Sequence, residues 1–201
     1  MRYFTPAIVV LDVDGVINSS PIAKLACNGY VSRILAELPV LKKAALGALE
    51  IGEILLDAKY EPNDKMDFIL LNRDVPYLGI ITDRSPHGLA TAMGRKSYIL
   101  EWMSFVQVRK SIFGSVRKLR HGPELWETRD VKPDESVLYR LADFAREKEV
   151  KPHEVLIIDD DPLFRFIAKS RFGFRVEPDD TIDEPVREDY LSSLERVIAP
   201  A

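Results

Sequence analysis

The fold of this protein is decided by the stretch Ala7-Ile8-Val9-Val10-Leu11-Asp12-Val13-Asp14-Gly15-Val16-Ile17. Five apolar residues, three of them β-branched, run into a carboxylate, which is typical of a strand that is buried on both faces and ends at a functional edge. Residues two apart in a strand point to the same side, so Asp12 and Asp14 are expected to converge. Because close carboxylates repel each other, a metal cation, a shared proton or a nearby Lys or Arg must offset the repulsion. The simpler alternative is a buried strand that ends in a solvated Asp-Gly turn.

Composition restricts the class of protein. With 201 residues, 46% of them hydrophobic, the chain can bury a sizeable core as one domain or as one domain with a small insertion. Its net charge of −4 argues against a general nucleic-acid binder. The single cysteine, Cys27, excludes an intramolecular disulfide and fits a reducing compartment, so we expect a cytoplasmic protein. Because no uncharged apolar segment is long enough to cross a bilayer, no membrane association is expected.

A helical insertion is predicted after the first strand. Apolar residues at helical spacing indicate two helices, at about residues 21–38 and 40–58, which we interpret as a lid over the strand ends. The alternative is that both are ordinary layer helices of the main sheet. On the second helix, Lys42, Lys43, Glu50 and Glu53 are expected to be exposed. The predicted organisation is an α/β core of residues 1–17 and 61–201 with a small helical cap of residues 18–60.

The middle of the chain predicts a second buried strand followed by a helix. Residues 77–81 are apolar and end at Thr82, and Ser85 with Pro86 then opens a helix that is expected to run as far as Phe105. A third strand is placed at residues 106–108 or 111–113. The basic stretch 109–121 is interpreted as a solvated face, with binding of an anionic substrate as the alternative.

The last third of the chain predicts another strand that ends in acids. Lys132-Pro133 leads into an amphipathic helix, and the strand 155–158 ends on Asp159, Asp160 and Asp161. Three acids at the end of a buried strand repel one another, so this cluster is a stronger signal than the first pair alone. Asp161, which precedes Pro162, is the predicted N-cap of the next helix. A short strand at 174–176 follows. The alternation of buried strands and amphipathic helices predicts an α/β fold with a parallel sheet.

The expected site lies at the carboxyl ends of the strands, where parallel α/β sheets place functional residues. Three strand ends and one loop deliver its side chains: Asp12, Asp14, Thr82, Lys132, Asp159 and Asp160. Hard oxygen ligands favour Mg²⁺ over zinc or copper, and Lys and Thr supply donors suited to phosphate oxygens. This combination indicates phosphoryl transfer on a small phosphorylated substrate.

The order of these motifs resembles the haloacid dehalogenase superfamily of phosphohydrolases. The motifs are Leu11-Asp12-Val13-Asp14-Gly15-Val16, Ile80-Ile81-Thr82, Lys132-Pro133 and Ile157-Ile158-Asp159-Asp160. The resemblance implies a Rossmann-like parallel sheet with helices on both faces and a cap inserted after the first strand. It also implies that Asp12 is the nucleophile that forms an aspartyl-phosphate and that Asp14 is the general acid and base.

The other roles follow from the same resemblance. Thr82 would hold a phosphoryl oxygen and Lys132 would bridge the nucleophile and the phosphate. The Mg²⁺ would bind the Asp12 carboxylate, the backbone carbonyl of Asp14 and Asp160, assisted by Asp159. The acid that some members carry four residues beyond Asp160 is replaced here by Phe164. An acid at position 14 favours a phosphatase over a true dehalogenase, which lacks one there.

Several alternatives share this set of residues. A receiver domain also combines acids, Thr and Lys, but it carries the acid pair early and the lone phosphorylated Asp later, the reverse of the order seen here. A phosphotransferase or mutase of the same superfamily would use the same site, and a non-catalytic phospho-ligand-binding protein could retain the fold without turnover. The sequence also departs from the family where Asp83 and Arg84 follow Thr82, at a position that many members fill with Asn.

Overall fold

The computed structural model describes residues 5–13, 16, 47–55, 74–111, 123–128 and 135–178. These residues contain one fully parallel, six-stranded sheet of strand order β4-β3-β2-β1-β5-β6. Its strands are β1 (Ile8–Leu11), β2 (Tyr77–Ile81), β3 (Phe105–Arg109), β4 (Glu124–Thr128), β5 (Val155–Ile158) and β6 (Arg175–Glu177). The central strand is therefore the one predicted from the opening stretch.

Three described α-helices follow strands of this sheet. They are α1 (Pro86–Met93), α2 (Glu135–Glu147) and α3 (Pro162–Phe172). Short 3₁₀ segments cover Gly94–Trp102 and Pro152–Glu154, and residues 47–55 of the predicted cap are helical. None of the helices in the described ranges is long and apolar enough to span a membrane.

Both faces of the sheet are buried, as the apolar run in β1 predicts. Ile8 and Val10 lie in the core on the side of α2 and α3, whereas Val9 and Leu11 lie in the core on the side of α1. This alternation is the two-residue period of a strand covered by helices on both sides. The predicted α/β parallel sheet with helices on both faces is confirmed.

An aromatic cluster fixes the packing of β3 and β4 against α2. The rings of Phe105 and Trp126 stack at 4.2 Å, and Phe144 of α2 meets both edge-on. Gly79 of β2 provides the room, because a Cβ atom there would lie 2.2 Å from Cζ of Phe105. The glycine in β2 therefore permits the close approach of a ring from the adjacent strand.

Most sequence-based element assignments are confirmed, with five corrections. The third strand is the first of the two alternatives, and Asp161 caps α3 through its carboxylate, which accepts hydrogen bonds from the Leu163 and Phe164 N–H groups. The predicted helix to Phe105 is wrong, because α1 ends at Met93 with Gly94 at a positive φ of 49° and Phe105 begins a strand. The strand β4 was not predicted, since Trp126 is the only buried residue among its five and the strand has no run of apolar residues. The last strand is shifted by one residue, because it covers Arg175–Glu177 and not residues 174–176.

The fourth correction concerns the insertion. Glu50 and Glu53, predicted to be exposed, are buried, with 1% and 2% of their surface accessible. The basic stretch is likewise corrected at its start, because Arg109 is buried while Lys110 is exposed. Other predictions lie outside the described residues: the first cap helix at 21–38, the remainder of the second, the Lys132 turn and Cys27.

Candidate active site

The carboxyl ends of β1, β2 and β5 bring three predicted site residues to one edge of the sheet. Asp12, Thr82 and Asp159 are each the first residue after their strand. Backbone hydrogen bonds extend the sheet through all three: the Asp12 N–H donates to the Ile158 carbonyl at 2.9 Å, and the Thr82 N–H donates to the Gln107 carbonyl at 3.2 Å. The Asp159 N–H donates to the Glu177 carbonyl, also at 3.2 Å. Their positions are therefore set by the sheet itself and not by a loop.

Three carboxylates converge at this edge. Asp12, Asp159 and Asp160 each offer one oxygen, and these oxygens all lie within 4.8 Å of one another. Asp12 and Asp159 are buried, at 4% and 1% exposure, while Asp160 faces solvent. A set of carboxylate oxygens of this size fits a hard divalent cation such as Mg²⁺, which takes oxygen ligands and retains several waters. Its charge would offset the repulsion among the three anions.

The acidic loop after β5 is held by its own hydrogen bonds. The Asp161 N–H donates to Oδ1 of Asp159 at 2.9 Å, and the Arg165 N–H donates to the Asp161 carbonyl at 3.1 Å. The buried guanidinium of Arg165 reaches back from α3, and its Nη1 donates to the Asp159 carbonyl at 2.6 Å. This places a positive charge next to the backbone of Asp159, at the start of the acidic loop.

Thr82 lies fully buried at the end of β2. Its Oγ1 accepts a hydrogen bond from the Arg84 N–H at 3.3 Å. Because a hydroxyl that accepts one hydrogen bond still has its own hydrogen to donate, Thr82 can bind an anionic oxygen at this edge. Parallel pairing of β1 and β2 sets Asp12 and Thr82 on adjacent strands, whose usual spacing is about 4.8 Å.

A second polar cluster, made by Glu53 of the insertion with Ser85 and Arg109, lies at the same edge. Oε2 of Glu53 accepts hydrogen bonds from the Ser85 N–H at 3.3 Å and from the Ser85 hydroxyl at 3.1 Å. Its Oε1 accepts from Nη2 of Arg109 at 3.1 Å, an ion pair between two side chains that are each 2% exposed. Sequence reasoning missed all three residues, because the partners are 32 and 56 positions apart along the chain.

Burial dominates the electrostatics of this cluster. Desolvation raises the pKa of the Glu53 carboxyl above its ordinary value of 4.5, although Arg109, Arg84 and the Ser85 hydrogen bonds act in the opposite direction. Glu50, one turn earlier, accepts a hydrogen bond from the Ser111 hydroxyl at 2.7 Å. Both carboxylates of the helical segment 47–55 are thus buried and hydrogen-bonded to residues that follow β2 and β3.

Two predicted site residues lie outside the described part of the chain. Asp14 and Lys132 are not described, so their roles stay predictions. The four others, Asp12, Thr82, Asp159 and Asp160, are at the carboxyl edge of the sheet where the sequence placed them. The sequence contained one signal for the missed cluster of Glu53, Ser85 and Arg109, because Arg109 is the first residue of the basic stretch 109–121.

Comparison with known proteins rests on structure. No protein-family model matches the sequence, and no curated protein is significantly similar to it. The chain is similar to a candidate phosphoglycolate phosphatase from Lactobacillus plantarum, with a TM-score of 0.57 at 14% identity over 93% of this chain and 99% of that chain. It is also similar to the L-2-haloacid dehalogenase of Xanthobacter autotrophicus, with a TM-score of 0.52 at 16% identity over 94% and 83% of the two chains.

A further solved structure, a dehalogenase in an intermediate complex, has a TM-score of 0.51 at 14% identity over the whole of both chains. Identities this low establish a shared fold and leave the activity to be argued from the site. The strand order, the acids at the ends of β1 and β5 and these structural neighbours agree with the resemblance noted in the sequence. The protein has the fold of the haloacid dehalogenase superfamily.

Proposed function

We propose that the protein is a Mg²⁺-dependent phosphatase that hydrolyses a small phosphomonoester through an aspartyl-phosphate on Asp12. The observation that carries this proposal is the convergence of Asp12, Asp159 and Asp160 at the strand edge beside Thr82. Hydrolysis of a phosphate ester needs a nucleophile, charge neutralisation and a donor for the phosphoryl oxygens. The described residues supply a candidate nucleophile in Asp12, candidate ligands for a neutralising cation and a candidate hydroxyl donor in Thr82.

Asp12 is the proposed nucleophile. One carboxylate oxygen forms a bond to phosphorus while the bond to the ester oxygen breaks, and the leaving oxygen takes a proton from Asp14. In the second step a water gives its proton to Asp14 and attacks the same phosphorus, which releases phosphate and restores the Asp12 carboxylate. Thr82 would donate its hydroxyl hydrogen to a phosphoryl oxygen, and Lys132 would bridge Asp12 and the phosphate.

The proposed metal ligands are the Asp12 carboxylate, Asp160 with Asp159 in support, and the backbone carbonyl of Asp14. A bound Mg²⁺ would neutralise charge on the phosphoryl group and its carboxylate neighbours. Oδ1 of Asp159 already accepts a hydrogen bond from the Asp161 N–H, whereas Asp160 is the solvent-exposed member of the three. This difference supports Asp160 as the main ligand.

Two relatives in fold are dehalogenases, so phosphatase chemistry needs its own argument. It rests on Asp14, an acid that a true dehalogenase lacks, and on an acidic edge suited to a cation. A phosphotransferase or mutase is the second candidate, because it would use the same residues and pass the phosphoryl group to an acceptor other than water. The helical residues 47–55 lie against this edge through Glu53, which supports a cap formed by residues 18–60.

The first test is hydrolysis of a small aryl phosphate by the purified protein, with Mg²⁺ and with a chelator. We expect Mg²⁺-dependent release of the phenol in the parent protein and none in the Asp12→Asn variant, which removes the nucleophile and keeps the side-chain volume. Trapping of a labelled aspartyl-phosphate would identify the intermediate. Absence of turnover in a parent protein that binds Mg²⁺ would shift the assignment to an enzyme with a highly selective cap, a phosphotransferase that needs a second substrate, or a non-catalytic binder.

The metal site has a separate test in two matched variants. Asp160→Asn should raise the Mg²⁺ concentration needed for half-maximal activity by at least about tenfold, because one charged ligand of a hard cation is lost. Asp159→Asn should have the smaller effect if Asp159 only supports the ion. Equal dependence on Mg²⁺ in the parent and both variants would exclude these residues as ligands.

A further inference from the structure

We propose that Glu53 is a positioning residue, through which the inserted segment holds the loop of residues 82–85 in its working geometry. This inference rests on the proposed function, since Thr82 of that loop is the candidate phosphate-binding hydroxyl. It concerns a residue that no motif of the sequence marks. Three features of the described residues carry it.

The first feature is that Glu53 contacts the residues at both polar ends of the peptide group that joins Arg84 to Ser85. Its Oε2 accepts from the Ser85 N–H and hydroxyl, and its Oε1 accepts from Nη2 of Arg109. Ser85 follows Arg84 in the chain, and the N–H of Arg109 donates to the Arg84 carbonyl at 2.9 Å. The Glu53 carboxylate therefore binds the N–H of the Arg84–Ser85 peptide group directly, and it binds Arg109, whose N–H contacts the carbonyl of the same group.

The second feature is that Arg84 orients Thr82. The Arg84 N–H donates to Oγ1 of Thr82 at 3.3 Å, which restricts the directions in which the hydroxyl can donate its own hydrogen. The path from the insertion to the candidate phosphate site is therefore short: from Glu53 to Ser85 and Arg109, from these to the Arg84 backbone, and from there to Thr82. Thr82, Arg84, Ser85 and Arg109 are all at most 2% exposed, so solvent does not compete for these hydrogen bonds.

The third feature is that a glycine of α1 leaves room for the Glu53 side chain. Gly88, in the first turn of α1, lies so close that a Cβ atom there would be 2.1 Å from Oε2 of Glu53 and 2.8 Å from its carboxyl carbon. Ser85 is also the N-cap of α1, so the carboxylate lies at the positive end of that helix. The glycine and the helix N-terminus both favour a carboxylate at this position, so residues of α1 match the side chain that the insertion presents.

Energetics favour a geometric role over a stabilising one. A buried ion pair contributes little net stability compared with apolar residues of the same size, because removing both charges from water costs about as much as their attraction returns. The raised pKa of Glu53 agrees, since desolvation outweighs the attraction of Arg109 and Arg84. What such a contact does provide is one defined arrangement of its hydrogen-bonded partners.

The experiment compares Glu53→Gln with Glu50→Gln in the full chain. Glu50 is the matched control: it is buried on the same helical segment and bonds to Ser111, outside the 82–85 loop. Amide hydrogen exchange measured residue by residue should show faster exchange at Arg84 and Ser85 in Glu53→Gln and parent rates in Glu50→Gln. Unchanged exchange at both amides in Glu53→Gln would overturn the inference.

Kinetics provide the second readout. In Glu53→Gln we expect kcat for the aryl phosphate to fall by about 10- to 100-fold, because misplacing a phosphate-binding group slows the reaction by this amount. Calorimetry with inorganic phosphate should show weaker binding. Glu50→Gln should retain parent values of both. Parent-like kcat and phosphate affinity in Glu53→Gln would count against the inference.

Failure of this inference can be distinguished from failure to fold and from failure of the proposed function. If Glu53→Gln does not fold, Glu53→Asp keeps the charge but withdraws the carboxylate by one methylene, and the same exchange and kinetic changes are expected. A parent protein that neither hydrolyses the ester nor binds phosphate would overturn the proposed function. The exchange rates of Arg84 and Ser85 would still decide whether Glu53 positions the loop.

Discussion

At the scale of single residues, the local sequence does not always indicate whether a carboxylate of this protein is buried. Asp12 follows a buried strand and lies at the edge as expected, with 4% of its surface exposed. Glu53 lies on a helix among polar and apolar residues in a pattern that predicts exposure, yet it is buried against Arg109. The difference arises because Asp12 is placed by its own strand, whereas Glu53 is placed by partners from distant parts of the chain.

A stability prediction follows from the raised pKa of Glu53. A carboxyl whose pKa is higher in the folded than in the unfolded state makes the folded state bind more protons, so its favourable contribution is complete below pH 4.5 and is lost as the pH rises through the folded-state value. The amide that replaces the carboxyl in the Glu53→Gln variant does not titrate. The free energy of unfolding of Glu53→Gln minus that of the parent should therefore increase as the pH rises above 4.5.

Urea unfolding of both proteins at several pH values measures this difference, and the subtraction cancels the other titrating groups. A difference that stays constant with pH would show that the Glu53 pKa is the same in both states. A difference that decreases would mean that the ion pair with Arg109 outweighs desolvation.

At the scale of elements, aromatic packing joins three neighbouring strands of the sheet. Phe105 of β3 lies across Gly79 of β2 and stacks on Trp126 of β4, so the three strands share one contact. Gln107, two residues after Phe105, accepts the Thr82 N–H through its carbonyl, and its side-chain amide donates to the Thr128 hydroxyl at 3.1 Å. Packing at the start of β3 is thereby connected, along the strand, to the position of the candidate phosphate-binding residue.

Substitution of Gly79 tests this packing. Gly79→Ala should lower the free energy of unfolding by about 1–3 kcal/mol, because the new methyl group cannot fit unless the Phe105 ring moves. In a Phe105→Leu background the same substitution should cost less, since the ring that it would meet is absent. Denaturant unfolding of the four proteins gives both values. An equal cost in the two backgrounds would show that the Phe105 ring is not what Gly79 accommodates.

At the scale of the whole molecule, the carboxylate edge unites segments from both ends of the described chain. Asp12 precedes Asp159 and Asp160 by almost the length of the core domain, and only the pairing of β1 with β5 brings them within reach of one ion. Their mutual repulsion opposes folding unless a cation is present. Binding of a cation should therefore stabilise the whole fold.

We expect Mg²⁺ to raise the thermal midpoint of unfolding. A ligand that binds only the folded state adds about 2.7 kcal/mol when its concentration is a hundred times its dissociation constant. The parent should show a midpoint that rises with Mg²⁺ concentration, and Asp160→Asn should need more Mg²⁺ for the same rise. Equal concentrations of a monovalent salt at matched ionic strength provide the control, and an identical response to both salts would mean that only screening is at work.

The sequence by itself determined the buried strands β1, β2 and β5 and the residues that end them. Runs such as Ile8 to Leu11 are buried on both faces whatever follows them, and an acid directly after such a run must lie at the sheet edge. Asp161 also caps α3 from local pattern alone, because an N-cap needs only the next few residues. These features depend on interactions between near neighbours, which the order of residues specifies directly.

Only the tertiary structure decided which charged side chains are buried and which strand lies at the outer edge of the sheet. Glu53, Ser85 and Arg109 come from three separate segments, and each would be solvated on its own. β4 acquires its place from pairing with β3 and from the stack of Trp126 on Phe105, not from a strong pattern of its own. Burial of a charge is costly unless an oppositely charged partner is buried with it. Glu53 and Arg109 are 56 positions apart, so the fold and not the local pattern brings them into contact.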